Sequence, residues 1–393
     1  MPAPDERRAW IALASVKGIG DILFGVLLAR FGNAGAVLDA ALGGTVGAWN
    51  EERRRLDGRA PLNRPVLDDL VAVAREPVER RKVIDQAGLW TITALDADYP
   101  ARLRDLDPPP PVIHGLGNPR ALHGVRAVGV VGTRRPTPAG RALAVRVAAR
   151  LVECRATVVS GLAVGIDGVA HATTIERRGQ TVAVIGAGHH SPGPRAHARL
   201  RNEIVAGGGA LISEHHPWVE ARKGTYPRRN RIIAALSDSV IVIEAPATSG
   251  ARITARLALE LGRHVLIAPG RVGDWATAGS LALLRESPAR PLVGLDEMVA
   301  DLGFFEPLRD AGEPVADSTI GAGTAREPAL AMLGRAERLV ARRLCDGPAG
   351  LDLLVAETGL GPAVVSSAVT LLLMRGWVQS VGPAYIAAGP LAA

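Results

Sequence analysis

From Ala127 onward the chain repeats one unit, a short apolar run, a glycine-bearing turn and a helix-length amphipathic segment. Very few folds satisfy that repeat. The apolar runs are Ala127–Val131, Thr157–Ser160, Thr181–Ile185, the stretch around Leu211, Val240–Glu244 and His264–Ala268. Helices are expected between them at about Pro138–Glu153, through Glu176, at about His197–Ala206, Arg229–Leu236 and Arg252–Leu261. Thr137 stands where it caps the first of these, with Pro138 at the first helical position. Strands alternating with helices at this spacing specify a mostly parallel sheet covered on both faces, an α/β fold with a Rossmann-like core. Loops leaving the carboxyl ends of such strands build the ligand site.

At 393 residues the chain exceeds one typical domain, and its flanks read differently from the core. Ala9 to Phe31 read as helix, turn, helix around Val16-Lys-Gly-Ile-Gly20. That turn looks like half of a helix-hairpin-helix, which brings backbone N–H groups to a DNA phosphate. The same turn also serves as a plain packing corner. Glu51 to Asp85 is a charged helical region, and Pro108–Pro111 stiffens a linker or edge segment. Residues from about Pro307 to Glu327 are rich in Gly, Ala, Pro and Asp and read as a linker. Helices at Ala331–Cys345, Leu351–Thr358 and Val364–Met374 then precede two short strands around Gly382-Pro383, a winged-helix-like pattern. Its third helix carries almost no base, so a protein-contact role stands beside DNA binding. The expected division is an N-terminal helical (helix-hairpin-helix/SAM-like) domain over 1–105, the Rossmann-like domain over 106–303, a linker over 304–328 and a winged-helix-like domain over 329–393.

The net charge of +7 is compatible with an anionic partner. Cys154 and Cys345 are far apart and lack metal-type spacing, which argues against a disulfide framework and for a reducing, cytoplasmic setting. The first residues lack the apolar core of a signal peptide, and no apolar run approaches the about 20 residues that span a bilayer.

The chemistry concentrates in Arg222–Ile233. Arg222, Lys223, Arg228, Arg229 and Arg231 surround Tyr226, with no acid among them. A cationic loop with one stacking ring suits a phosphodiester carrying a base. A solvated basic turn is the bland alternative, and such a turn has no use for a ring. Gly129-x-x-Gly132-Thr133-Arg134 is a glycine turn feeding a helix N-terminus, an arrangement that seats phosphate, with Arg135 beside it. Ser249-Gly250 opens a second helix on the same side of the sheet. There is no G-x-G-x-x-G, no acid after the second strand and no P-loop, so no nucleotide cofactor is expected. His171, His189-His190 and His215-His216 lack the spacing of a metal set. Ser160 and Ser213 lack a nucleophile elbow. Asp167 and Glu244 are open to two readings, as acid or base, or as caps and partners of a nearby arginine.

Val130-Val-Gly-Thr-Arg134, Val159-Ser-Gly-Leu-Ala-x-Gly-Ile-Asp167, Tyr226-Pro-x-Arg-Asn-Arg-Ile-Ile-Ala234 and the segment Glu244–Glu260 follow one another in fixed order. Together, over roughly residues 95–290, they resemble the DNA-processing protein A (DprA/Smf) family. The resemblance implies a single-stranded DNA-binding protein that protects incoming DNA in natural transformation and loads the recombinase RecA for homologous recombination. It further implies a homodimer through the Rossmann-like domain, no cofactor and no enzymatic activity. The DNA pocket it implies uses Gly132, Thr133, Arg134, Lys223, Tyr226, Arg229 and Asn230, to which the chemistry above adds Arg228, Ser249 and Gly250. Tyr226 stands where the family often has Phe. Pro269-Gly-Arg271 and Gly279-Ser-Leu-Ala-Leu-Leu284 depart from the family's pattern. The competing expectation is a nucleotide-binding or nucleotide-hydrolysing Rossmann-like enzyme, but where such enzymes carry a Gly-Gly-x-Gly-Thr turn this chain has Thr248-Ser-Gly-Ala-Arg252.

Overall fold

The computed structural model describes residues 4–57, 61–191, 197–221, 225–304, 330, 333, 335–381, 384–388 and 391. They fall in two units, Met1–Arg309 and Asp310–Ala393. The first unit begins with helices α1 (Pro4–Ala14), α2 (Asp21–Phe31), α3 (Ala34–Leu42), α4 (Thr45–Asp57), α5 (Arg64–Arg75) and α6 (Pro77–Gln86). Leu13, Leu27, Val37, Leu70 and Val73 lie on the inward stripes of these helices and form one apolar core. Asn33 and Asn63 cap α3 and α5 by accepting from the N–H groups of Ala36 and Val66 at 2.8 and 3.1 Å. The turn between α1 and α2 is a packing corner. Gly18 has φ +100, and a Cβ there would lie 2.6 Å from Val66 of α5. The N–H of Lys17 donates to Asp69 at 2.7 Å.

Strands β1 (Trp90–Thr93) and β2 (Val112–Gly117) follow, then β3 (Ala127–Val131), α7 (Pro138–Glu153), β4 (Thr157–Ser160), α8 (Ile166–Glu176), β5 (Thr181–Val184), α9 (Ala198–Ala206) and β6 (Ala210–Ser213). The unit continues with α10 (Thr225–Leu236), β7 (Ser239–Val242), α11 (Gly250–Glu260), β8 (His264–Ile267), α12 (Ala278–Glu286), β9 (Arg290–Pro291) and α13 (Leu295–Asp301). The nine strands form one sheet in the order β1-β2-β6-β5-β4-β3-β7-β8-β9. From β6 across to β9 every pairing is parallel, as the alternation requires. The edge pair β1 and β2 is antiparallel, and β2 pairs antiparallel with β6. The edge segment that the sequence allows at the four prolines leads into β2, whereas nothing in the sequence marks the short Trp90–Thr93 as a strand. Those prolines carry the chain into the edge, where the carbonyls of Pro110 and Pro111 accept from the Tyr99 hydroxyl and the Trp10 indole, each at 2.7 Å. Thus Trp90–Thr93, on the helical side of residue 105, is part of the main sheet.

Alternate residues of each strand face opposite layers. Val128, Val130, Val158 and Ile241 pack against α7, α8 and α13. Val131, Val159, Val182 and Val242 pack against Ile232–Leu236 of α10 and Ala251, Ala255 and Ala258 of α11. The helix expected from about Arg229 begins one turn earlier, at Thr225, so Tyr226 to Arg228 stand on a helix rather than in a loop. Among the described residues no single helix is long and apolar enough to cross a membrane.

The second unit contains α14 (Arg335–Cys345), β10 (Ala349–Gly350), α15 (Leu351–Thr358), α16 (Pro362–Met374), β11 (Val378–Val381) and β12 (Ala384–Ala387). Its three strands pair in the order β10-β12-β11, beside helices whose core includes Val340, Leu344, Leu354, Val365 and Leu372. This matches the expected winged-helix pattern. Of the expected linker over 304–328, all but Phe304 lies outside the described residues.

Candidate nucleic-acid interface

Strand order reverses at β3: successive strands β4, β5 and β6 lie to one side and β7, β8 and β9 to the other. A sheet of this kind opens a crevice at that point, between the loops that leave β3 and β7. The β3 loop is Gly132-Thr133-Arg134-Arg135. Gly132 is required there, since a Cβ would lie 2.6 Å from buried Ile166. Thr133 crosses to the β7 loop, its N–H donating to the Glu244 carbonyl at 2.7 Å. Its hydroxyl accepts from the Arg135 N–H at 3.2 Å. This leaves Arg134 and Arg135 exposed, and neither pairs with a carboxylate among the described residues. The Arg134 guanidinium lies 5.3 Å from the centre of the Tyr226 ring, a cation–π contact that joins the β3 loop to the first turn of α10.

The two candidate acids are structural. The Glu244 carboxylate accepts both the N–H and the hydroxyl of Thr137, the N–H at 2.9 Å, while Thr137 caps α7 by accepting from Gly140 at 3.0 Å. Asp167, in the first turn of α8, accepts from the N–H groups of Gly161 and Ala163 at 3.1 and 3.4 Å. Burial holds its carboxyl above the usual range, opposed by the Arg229 guanidinium. Ser160 and Ser213 are fully buried and donate to the carbonyls of Val130 and Ala187 at 2.6 and 2.8 Å.

The basic stretch is divided by the fold. Arg229 is buried, and its guanidinium donates to the carbonyls of Gly161 and Val184, holding the β4 and β5 loops from beneath. Burial lowers its pKa, and Asp167 opposes the shift. Arg231 is paired with Asp21 at 3.0 Å and with Glu214. Arg228 turns away from the cleft to Asp21 as well. Arg222 and Lys223 lie outside the described residues. Asn230 donates to the Gly250 carbonyl at 3.3 Å, and Ser249 caps α11 by accepting from Ala251 at 3.2 Å.

The outcome is an open cleft of about 680 Å³ lined by Gly132, Thr133, Arg134, Arg135, Tyr226, Arg229, Asn230, Ser249 and Gly250. Of the described cations singled out in the basic stretch, the cleft gathers Arg229 but neither Arg228 nor Arg231. It gains Ile253 and Trp275, which motif reading passed over. Trp275 sits in the segment after Pro269-Gly-Arg271 that departs from the family pattern, and that departure was the available signal. Among the described residues no group of three or more His, Cys, Asp or Glu is placed to hold a metal ion.

The family model DNA recombination-mediator protein A matches residues 90–303, and the DprA winged helix domain matches residues 324–382. The putative DNA processing protein DprA of Mycobacterium tuberculosis is 34% identical over 377 residues, which is 95% of this chain and 92% of that protein. The Bacillus subtilis DNA processing protein DprA is 37% identical over 201 residues, 51% of this chain and 67% of that one. The X-ray structure of Streptococcus pneumoniae DNA processing protein A superposes with a TM-score of 0.60 at 27% identity, covering 76% of this chain and 98% of that one. DNA processing protein A of Helicobacter pylori, whose structure was described for its single-stranded DNA binding mode, superposes with a TM-score of 0.50 at 26% identity, covering 55% of this chain and 95% of that one.

Proposed function

This chain belongs to the DNA recombination-mediator protein A (DprA/Smf) family, and we propose that it binds single-stranded DNA in the cleft between the β3 and β7 loops. The observation that carries the reading is the composition of that cleft. It gathers Arg134 and Arg135, which pair with no carboxylate among the described residues, a glycine turn and the α11 N-terminus around the ring of Tyr226. Cations and N–H groups serve phosphate, and a ring serves any base, so the site favours an unpaired strand over duplex. Lys223, next to this site in sequence, is proposed as a further phosphate contact. Bound strand is shielded from nucleases and passed to RecA, in transformation or in other homologous recombination, by a homodimer working in the cytoplasm. The protein does this without catalysis, a reading supported by the commitment of Glu244 and Asp167 to backbone and cap contacts.

The test is fluorescence anisotropy of labelled oligo-dT over a range of salt, with duplex of the same length as competitor. Single strand is expected to win. Arg134→Ala flattens the salt slope by about one unit, and Tyr226→Ala weakens binding by about 1–3 kcal/mol. A wild type that ignores single strands but consumes a nucleotide overturns the reading in favour of a Rossmann-like enzyme. The RecA step is tested separately, by RecA filament assembly on strand precoated with single-strand-binding protein. Without acceleration by this chain, RecA loading is dropped while DNA binding stands.

A further inference from the structure

Aromatic residues make up only 3% of this chain, so an indole left in solvent calls for a physical reason. Among the described residues the exposed tryptophans are Trp218 and Trp275, at 62% and 58% exposure. Trp218 already has a partner, the His190 ring stacked on it at 4.0 Å and 9°. Trp275 stacks on no ring among the described residues, and it lines the same cleft as Tyr226 and Arg134. Its backbone is held from behind. Ala276 and Thr277, the next two residues, are buried. The Asp274 carboxylate accepts the Ala276 N–H at 2.9 Å, and the Thr277 N–H donates to the Asp274 carbonyl at 3.3 Å. A Cβ at Gly270 would collide with Thr277, so this turn closes tightly on itself. Ile253, 42% exposed, adds apolar surface to the same cleft.

We propose that Trp275 is a second stacking platform for a nucleobase of the bound single strand. The inference rests on the cleft being a single-stranded DNA site. An indole on an anchored turn loses little freedom when a base covers it, so its stacking energy is not spent on ordering the loop. Tyr226 on α10 and Trp275 ahead of α12 then each take a base, while Arg134 and Arg135 take phosphate. Because every base has a π face, the platform is indifferent to sequence.

The full-length chain is titrated with labelled oligo-dT and with an abasic oligomer of equal length and charge. Trp275→Ala is expected to weaken oligo-dT binding about tenfold, with abasic affinity, salt slope and melting temperature unchanged. Trp275→Phe restores most of the loss, and quenching of tryptophan fluorescence by oligo-dT shrinks in Trp275→Ala. If Trp275→Ala binds oligo-dT like the wild type while Tyr226→Ala does not, the platform is refuted and the cleft stands. Equal loss for both oligomers also refutes it, since the side chain would then act on the fold. A wild type that binds no single strand refutes both.

Discussion

Arg134 and Arg229 are both arginines beside Tyr226, yet one faces solvent and the other is consumed by Gly161 and Val184. Charge in the sequence therefore overstates charge in the cleft. What is legible at this scale is the glycine turn at Gly132, Thr137 as a cap and Ser249-Gly250 as the opening of a helix, each of which the structure fills with a specific contact. The burial of Arg229 is not, because its acceptors come from loops of other strands. Thr137 also shows how a side chain read as a cap serves twice. Thr137→Ala removes the α7 cap and one donor to the buried Glu244 carboxylate. Urea denaturation should show a loss of about 2–3 kcal/mol, the cap contributing about 1 and the deprived carboxylate the rest. A loss below about 0.5 kcal/mol would place the Glu244 carboxylate in contact with water.

Between elements, the acids missing from Arg222–Ile233 in the sequence arrive from elsewhere. Asp21 at the start of α2 and Glu214 after β6 pair with Arg228 and Arg231 of α10. The α1–α2 turn, one of whose readings was a phosphate contact, is thereby docked on the basic helix. A Cβ at Gly20 would lie 2.9 Å from the Arg228 guanidinium, so the glycine permits that approach. Asp21→Asn should loosen α2 from α10 by about 1.5–3 kcal/mol, the worth of charge-assisted hydrogen bonds. Hydrogen exchange should show faster exchange in α2 while the strand amides stay protected. Unchanged exchange there would mean that apolar packing alone holds the contact. The helical periods and most strand positions followed from local pattern, whereas the pairing of β1 with β2 depended on a distant edge.

For the whole molecule, all nine histidines lie within Met1–Arg309, and several are buried at the β2–β6 edge. Burial lowers His114 to about 3, His189 to about 4 and His216 to about 4, from an ordinary 6.5. The unfolded chain therefore takes up protons first as the pH falls. The stability linked to these groups is complete above about pH 6.5 and is lost progressively below it, at up to about 1.4 kcal/mol per pH unit for each group. Asp167, held up by burial, works in the opposite direction. Calorimetry between pH 7.5 and 5 should lower the transition of the first unit and leave that of Asp310–Ala393 in place. A first-unit transition that does not move would mean that water reaches these imidazoles in the folded state.

The sequence alone determined the parallel α/β core, the Thr137 cap, the winged-helix pattern and the family, because hydrophobic period, turn chemistry and motif order are local properties of a chain. Only the tertiary structure decided which cations remain free. It turned Arg228 and Arg231 onto acids, buried Arg229 beneath the loops and brought Trp275 into the cleft that Tyr226 lines. The reason is physical: a side chain's charge is available only after its partners are counted, and those partners come from strands and helices far away in the chain.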